Sequence, residues 1–486
     1  MADTEGTAAL PSRPRPPRRV AVVGAGIAGL TAGWLLGSQC EVTLFEKSSN
    51  GLAAQTIDLQ LPGPGGPSEP VLVDIPFRMH TPTYYPNLCY LCEIAGVPVD
   101  LLTGNEVAIT GTEGLQLLSY RNFKVFGFNI AVPSLLLSST AFLMVRDFLW
   151  FMWRAPQHLQ AHKLDGITIQ EYLTRERYSA SFADKLLFPF MSAVCTCSYQ
   201  SLQNFPAEHI VRYFVRAAST HSTFRHFRLG NRDVVAKLSA RLHATRYNTA
   251  IDRVETDSSG VFIVVDGKRE QFDHVIIATQ ANHASTILDE SMESERKLLK
   301  QIQHEESVIM VHTDTSLLSE RQGEDHRFEI QVSDDYPMPS VHLCLNRVVP
   351  SLPSSPLLFE TWNPWHLPPA DRIVKLVKFE RPVLTLATDT VLSQLQELQG
   401  RRGVWFCGAY SVPGIPLLEN GVVGALQVAR ALGVDLDAMA WPRAGCARPP
   451  PRTPSRMVAW SLGAAAVAAA TASVVLHYAV HFLRRQ

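Results

Sequence analysis

Val20 to Lys47 reads VAVVGAGIAGLTAGWLLGSQCEVTLFEK, and the fold is decided there. Val20 to Val23 is a short apolar, β-branched run of the kind that forms a buried parallel strand. Gly24, Gly26 and Gly29 follow at once as G-x-G-x-x-G. The first glycine permits the tight turn out of the strand, the second lets the backbone approach a pyrophosphate, and the third lets the next helix pack on the sheet. That helix turns its N-terminal N–H groups and positive dipole end toward a diphosphate. A second apolar strand, Val42 to Phe45, ends in Glu46, about 20 residues on, where a carboxylate accepts from ribose hydroxyls. Strand, glycines, helix, strand and acid in order make one βαβ unit that binds a dinucleotide. The unit does not separate FAD from NAD.

At 486 residues the chain is long enough for two domains. Its net charge of −1 provides no basic field for nucleic acid. Residues 1–19 are polar and rich in Pro and Arg, without the apolar core of a signal peptide, and read as a disordered lead. The eight cysteines are expected to be reduced thiols in a cytosol-facing domain. Cys89 and Cys92 form C-x-x-C within an apolar helix ending at Gly96. With no second pair at metal-ligand spacing they read as core, as do Cys195 and Cys197, and no metal is expected. Near the C-terminus, residues 457–482 are almost uncharged and rich in Ala, Val and Leu, with Arg452 and Arg456 before them and Arg484 and Arg485 after. Behind a Pro/Arg-rich linker (436–456), this stretch is expected to be a single-pass transmembrane tail anchor. Mitochondrial outer membrane, peroxisome and endoplasmic reticulum all remain open as its destination.

Between these ends the pattern gives an α/β fold. Ala54–Leu61 and Val71–Ile75 read as a hairpin-like pair across a Gly/Pro-rich loop. Ala131 to Trp153 is strongly apolar but interrupted by Arg146 and Asp147. It reads either as a core helical hairpin or as a face dipping into a membrane surface. Gln170–Phe214 is helical, with a kink or break at Phe188-Pro-Phe190. Gly230–Leu242 is a helix, and Ala250–Val254 pairs with Val261–Val265. Asp273–Thr279 and Val404–Gly408 are buried strands, and Val308–Thr313, Ser340–Leu345 and Leu357–Thr361 are strands of a second unit. A last helix starts near Glu419-Asn-Gly421. The expected boundaries are a discontinuous dinucleotide domain (20–75, 230–285, 400–435) interleaved with an α+β substrate domain (76–229, 286–399).

Four stretches, VAVVGAGIAGLTAGWLL…VTLFEK, VDIPFRM…YYPNLCYLCEIAGV, HTDTSLL and FCGAYSVPGIPLLENGVVGALQVARALG, together resemble the flavin-containing amine oxidase superfamily. Within it they resemble the branch of predicted NAD/FAD-binding oxidoreductases, a module also found fused to plant cyclopropane fatty-acid synthases. The resemblance covers nearly all of Val20–Gly433. It implies FAD, held non-dissociably, with Gly24, Ala25, Gly26, Ile27, Ala28, Gly29 and Leu30 along the diphosphate. Glu46 and Lys47 stand at the adenosine ribose and Ile251 at the adenine edge. Ala278 and Thr279 end the neighbouring strand, Gly408 and Ala409 lie near the ribityl phosphate, and Leu418, Glu419 and the N–H groups of Gly421 and Val422 face the flavin. The chain departs from the family at Asn50-Gly-Leu-Ala-Ala-Gln55, where a paired glycine and a basic residue are usual. It departs again at Pro416-Leu-Leu-Glu-Asn-Gly421, which keeps only the Glu and Gly of Phe-His-Glu-Asp-Gly, and no lysine falls in the flavin-facing role.

No hydrolytic triad or paired-carboxylate site stands out. Arg78, His80 and Tyr410 are the candidates to reach the reacting centre. The competing readings are an Arg78–Asp74 ion pair and a packed core tyrosine. The expected function is a membrane-anchored, FAD-dependent oxidoreductase moving a hydride from a small hydrophobic, lipid-like substrate to the flavin. An amine oxidase using oxygen and a catalytically degenerate flavin-binding membrane module are the alternatives.

Overall fold

The computed structural model describes residues 18–442, apart from 61, 64–65, 68–69, 103–106, 112–115, 126–127, 134–138, 218–223 and 320–326. The expected disordered lead and the tail anchor at 457–482 lie outside the described residues. Among those described, no helix is long and apolar enough to cross a membrane.

The opening stretch forms β1 (Arg18–Val23), α1 (Ile27–Leu36) and β2 (Cys40–Phe45). Three later strands, β3 (Ala244–Arg246), β4 (His274–Ile277) and β5 (Val404–Phe406), complete a five-stranded parallel sheet in the order β3-β2-β1-β4-β5. With β1 central, Val20, Ala21 and Val22 have no exposed surface, which explains why the strand is apolar on both faces. All ten residues of α1 are buried, because the sheet covers one side and the C-terminal helix Leu418–Ala431 covers the other. A helix apolar all round is stable only when enclosed in this way.

A three-stranded antiparallel unit, Arg253–Asp257, Gly260–Val265 and Lys268–Phe272, leans on the parallel sheet. The sequence pattern misses its third strand: in KREQF only Phe272 is buried. The expected hairpin-like pair is present as Ile57–Leu59 against Val71–Val73.

The second unit is larger than its sequence pattern. Eight strands run in the order Phe128–Pro133, Gln116–Val125, Val107–Thr110, Phe328–Gln331, Ser340–Cys344, Phe359–Trp362, His304–His312, Ile373–Pro382. All neighbours are antiparallel except Val107–Thr110 with Phe328–Gln331. A helical layer centred on Phe151, Tyr172, Phe182, Phe188 and Phe205 packs beside it. The expected helical hairpin at Ala131–Trp153 is corrected here. Its first residues end the Phe128–Pro133 strand, and a single helix spans Ser139–Gln160. That helix buries Ala141, Met144, Phe151 and Ala155 and exposes Phe142, Trp150 and Trp153. Pro189 sits in the first turn of Phe188–Cys195, directly after a π-turn at Ala183–Leu187, so the break is where the proline placed it.

The linker expected from residue 436 is also corrected. Leu436 and Trp441 are buried, the Trp441 indole donates to Asn87 Oδ1 at 2.8 Å, and Tyr90 Oη donates to the Met439 carbonyl at 2.7 Å. Apolar burial and a satisfied indole N–H hold this segment on the fold.

Inside the large sheet a polar chain has one consistent proton order. Asp314 N donates to His312 Nδ1 (3.2 Å), so His312 Nε2 donates to Thr361 Oγ1 (2.7 Å). Thr361 then donates to His342 Nδ1 (2.8 Å), and His342 Nε2 to Ser340 Oγ (3.3 Å). Burial lowers His312 to about 4 and His342 to about 3, and it lowers His80 to about 4. These histidines fold neutral and bind protons more readily once unfolded, so stability falls as pH drops from the ordinary histidine value toward 4. Glu360, raised by burial to about 8, acts in the opposite sense, losing stability as pH rises from the ordinary carboxylate range toward 8. The melting temperature is expected to decline progressively below about pH 6.5, and H342Q, which cannot titrate, should flatten that acid limb. An acid limb as steep in H342Q as in the parent would contradict the assignment.

Candidate active site

The site begins where β1 ends. Gly24 takes φ +105° and donates to the Phe45 carbonyl at 2.7 Å, closing the turn. A Cβ on Gly29 would stand 1.9 Å from the Gly24 carbonyl oxygen, so α1 can start this close to the turn only with glycine there. Gly26 is different in kind. Its φ of −74° suits any residue, and a Cβ there meets nothing within 4 Å. The space above it is open, and the N–H groups of Ile27, Ala28 and Gly29, the first turn of α1, point out of the helix end.

Glu46 stands beside this opening. Its Oε2 accepts from Ala25 N at 2.7 Å, and its Oε1 accepts from Ser48 N (2.8 Å) and Ser48 Oγ (2.7 Å). Three of roughly four lone-pair positions are used, leaving capacity for a hydroxyl. The altered Asn50–Gln55 segment still does structural work. Leu52 N donates to the Ala25 carbonyl at 2.8 Å, and Gly51, at φ +50°, lies so near that a Cβ would be 2.4 Å from Ala25 Cβ. Sequence reasoning missed Gly51; its place just after the ribose acid was the available signal. Lys47 is exposed, and Ile251 packs on the sheet core in a loop tied to Glu46 through Thr249 N and the Glu46 carbonyl (2.8 Å). Ala278 and Thr279 crowd Gly24 from the other side: a Cβ there would stand 3.0 Å from the Ala278 carbonyl oxygen and 3.3 Å from Thr279 Cγ2. Gly408 neighbours the Thr279 carbonyl, and half-buried Ala409 follows it.

The last helix (Leu418–Ala431) brings its N-terminus beside that of α1. A Cβ on Gly421 would come within 2.8 Å of Ile27. Two expectations about it are corrected. The outward N–H groups belong to its first residues, Leu418 to Asn420, because the Gly421 N–H bonds the Leu417 carbonyl (3.3 Å) and Val422 lies deeper in the helix. Glu419 does not face the opening. Its carboxylate accepts from Asn87 N (3.1 Å), Asn87 Nδ2 (2.6 Å) and Leu88 N (3.0 Å), capping the helix Pro86–Ala95. A carboxylate there satisfies orphan N–H groups and complements the helix dipole.

Beside the cradle, polar side chains from distant segments gather into a cluster. Asp74 accepts from Thr56 Oγ1 (2.6 Å) and Asn231 N (2.8 Å), and Arg78 makes no ion pair with it, which corrects the expected Arg78–Asp74 bridge. Arg78 is half-buried, with its Nε buried and without a partner; burial and the neighbouring Arg381 lower it to about 10. Tyr85 lies near both guanidinium groups, with its phenol raised by burial. Glu360 is fully buried, accepts from Phe77 N at 2.8 Å through Oε1, and leaves Oε2 unpartnered. The strand bearing Arg381 is fastened to the end of β4 through Gln280 Nε2 and the Glu380 carbonyl (3.0 Å) and through Asn282 Nδ2 and Glu380 Oε2 (2.7 Å). The Arg381 strand is thus tied to the segment whose Ala278 and Thr279 crowd Gly24. Arg381, Glu360 and Tyr85 were not legible, because each looks like an ordinary surface or core residue until the sheets meet.

The remaining candidates are packed more tightly, although the His80 ring lies 6.5 Å from the Tyr85 ring. His80 is fully buried, bridged to Arg225 by paired backbone bonds and packed 5.0 Å from the Phe227 ring, with neither ring nitrogen bonded. Tyr410 belongs to the core around Phe406 and Val391, so the packed-core reading holds for it. Cys89 and Cys92 have thiols raised by burial to about 12. No metal-holding group occurs among the described residues.

The open space at Gly26, the paired helix N-termini and the spare capacity of Glu46 fit a dinucleotide diphosphate and ribose. Comparison with known proteins agrees on the fold. Residues 22–93 match the NAD(P)-binding Rossmann-like domain family. No curated relative matches the chain significantly. Among solved structures, the chain is similar to a CLA-producing fatty acid isomerase from P. acnes (TM-score 0.59, 15% identity, 85% of this chain and 98% of that one). It is also similar to reduced UDP-galactopyranose mutase (0.58, 13%, 86% and 94%) and to cyclohexylamine oxidase from Brevibacterium oxydans (0.57, 14%, 87% and 100%). At these identities the likeness establishes the shared fold over most of the chain.

Because Gly26 has room on the protein side but faces the ligand space, G26V should fold with an unchanged ligand-free melting temperature and retain no dinucleotide after purification. A fully loaded G26V protein would place the site elsewhere.

Proposed function

We propose that this protein is an FAD-dependent oxidoreductase acting on a small hydrophobic, lipid-like substrate while anchored to an intracellular membrane. The observation that carries the cofactor reading is the convergence of two helix N-termini over the open space at Gly26, with Glu46 beside it. An extended dinucleotide would lie across this space, its diphosphate on the α1 N–H groups and its ribose on Glu46. The cyclohexylamine oxidase and UDP-galactopyranose mutase likenesses support a redox cofactor over a purely structural nucleotide.

When bound, the flavin supplies the hydride acceptor. The chain's own residues supply position and field. The first turn of Leu418–Ala431 adds its N–H groups at the open space, and the guanidinium groups of Arg78 and Arg381 supply positive charge in the neighbouring cluster, which would favour the negative charge of a reduced flavin. The large sheet brings Glu360 and Arg381 to this cluster, on Phe359–Trp362 and Ile373–Pro382.

Membrane attachment rests on the apolar 457–482 stretch with its flanking arginines. The exposed Phe142, Trp150 and Trp153 of the Ser139–Gln160 helix support a membrane-facing side. The catalytic domain is then cytosolic.

Purified protein should show a flavin visible spectrum that bleaches anaerobically with a reducing substrate. A colourless protein that takes up no FAD refutes this reading; a bound flavin that neither lipid-like compounds nor amines reduce favours a binding module. Deleting residues 457–486 should move the protein from the membrane to the soluble fraction. Continued membrane recovery would shift attachment to the Trp150–Trp153 face.

A further inference from the structure

We propose that the polar cluster beside the cradle is a carboxylate site, in which Arg78 and Arg381 together grip an acid group on the substrate. This rests on the flavin reading above for its place in a reaction, though not for the anion site itself.

The two arginines come from distant parts of the chain and oppose each other's charge. Neither makes a salt bridge among the described residues, and Arg78 Nε is buried without any acceptor. Two neighbouring guanidinium groups are costly in a partly buried cluster unless an anion neutralises them. The acids within reach are already committed. Asp74, hydrogen-bonded to Thr56 and Asn231, favours the Arg78 charge without an ion pair, one carboxylate against two guanidinium groups, and Glu419 is bonded to the helix at Asn87 and Leu88. Glu360 is bonded to Phe77 N, and its burial favours the neutral acid, so it leaves the positive charge largely uncancelled. Tyr85, close to both arginines, offers a further hydroxyl.

The cofactor diphosphate does not account for the pair, since the helix N-termini at Gly26 provide for it. A guanidinium fork matches the two oxygens of a carboxylate, and a cationic amine would be repelled. The substrate class that fits is therefore an organic acid with an apolar body.

The test uses the full-length protein in a non-ionic detergent, titrated with benzoate and decanoate and with their neutral amides. Binding is read both by perturbation of the flavin spectrum and by calorimetry. The carboxylates should bind saturably and the amides should not. R78Q and R381Q should each weaken carboxylate binding at least tenfold with flavin content unchanged, and R381K should recover part of the loss. Equal binding of acids and amides overturns the proposal. So do variants that lose flavin while keeping carboxylate affinity, since the pair would then serve the cofactor. In a colourless preparation calorimetry still decides: benzoate binding there upholds the anion site while the flavin reading fails, and no binding overturns the site.

Discussion

The structure hangs on how closely α1 can approach the turn that precedes it. The Gly24 carbonyl occupies the place where a side chain on residue 29 would begin, and the Ala278 carbonyl limits Gly24 from the other side at 3.0 Å. Gly51 then presses a third segment against Ala25. Three backbones meet with no side-chain layer between them, and this fixes the direction of the helix end. A methyl group at Gly29 or Gly51 would separate the pieces, and the open space beside Gly26 would lose its floor. Glu46 reinforces the same junction by bridging Ala25 and Ser48.

Much of this half was legible because its determinants are local. Apolar β-branched runs, spaced glycines and a terminal acid lie within 28 consecutive residues, Val20 to Lys47, and each has one cheap conformation. The eight-stranded sheet was harder. Ile373–Pro382 (IVKLVKFERP) mixes charged and apolar residues without a period of two along an edge, and Gln116–Val125 carries no turn signature that separates it from loop. The Ser139–Gln160 helix was misjudged because its exposed aromatics filled in the polar face that would have shown the helical period.

Site residues divide the same way. The glycines were placed by their motif, whereas Glu419 was misassigned because an acid at a helix start also suits a neighbouring helix. Its actual partners, Asn87 and Leu88, lie 332 and 331 residues away. Arg78 and Asp74 look like a pair in sequence, but Thr56 and Asn231 reach the carboxylate first. Arg381 gave no sign, since burial of a charge is a property of the assembled sheets. The cluster therefore holds what sequence patterning handles worst: unpaired charge, contributed one residue at a time.

The Glu419 cap has a consequence for how the protein is made. The helix it caps leaves the ribosome early, with its first N–H groups still lacking their carboxylate. At about 5–20 residues per second the missing acid follows roughly 20–60 s later. Until then β1, α1 and β2 also lack β4 and β5, and the second helix N-terminus is absent from the cradle. The complete cradle therefore exists only after Leu418–Ala431 has been made. A nascent or truncated chain can hold its opening motif intact and still lack the full cradle.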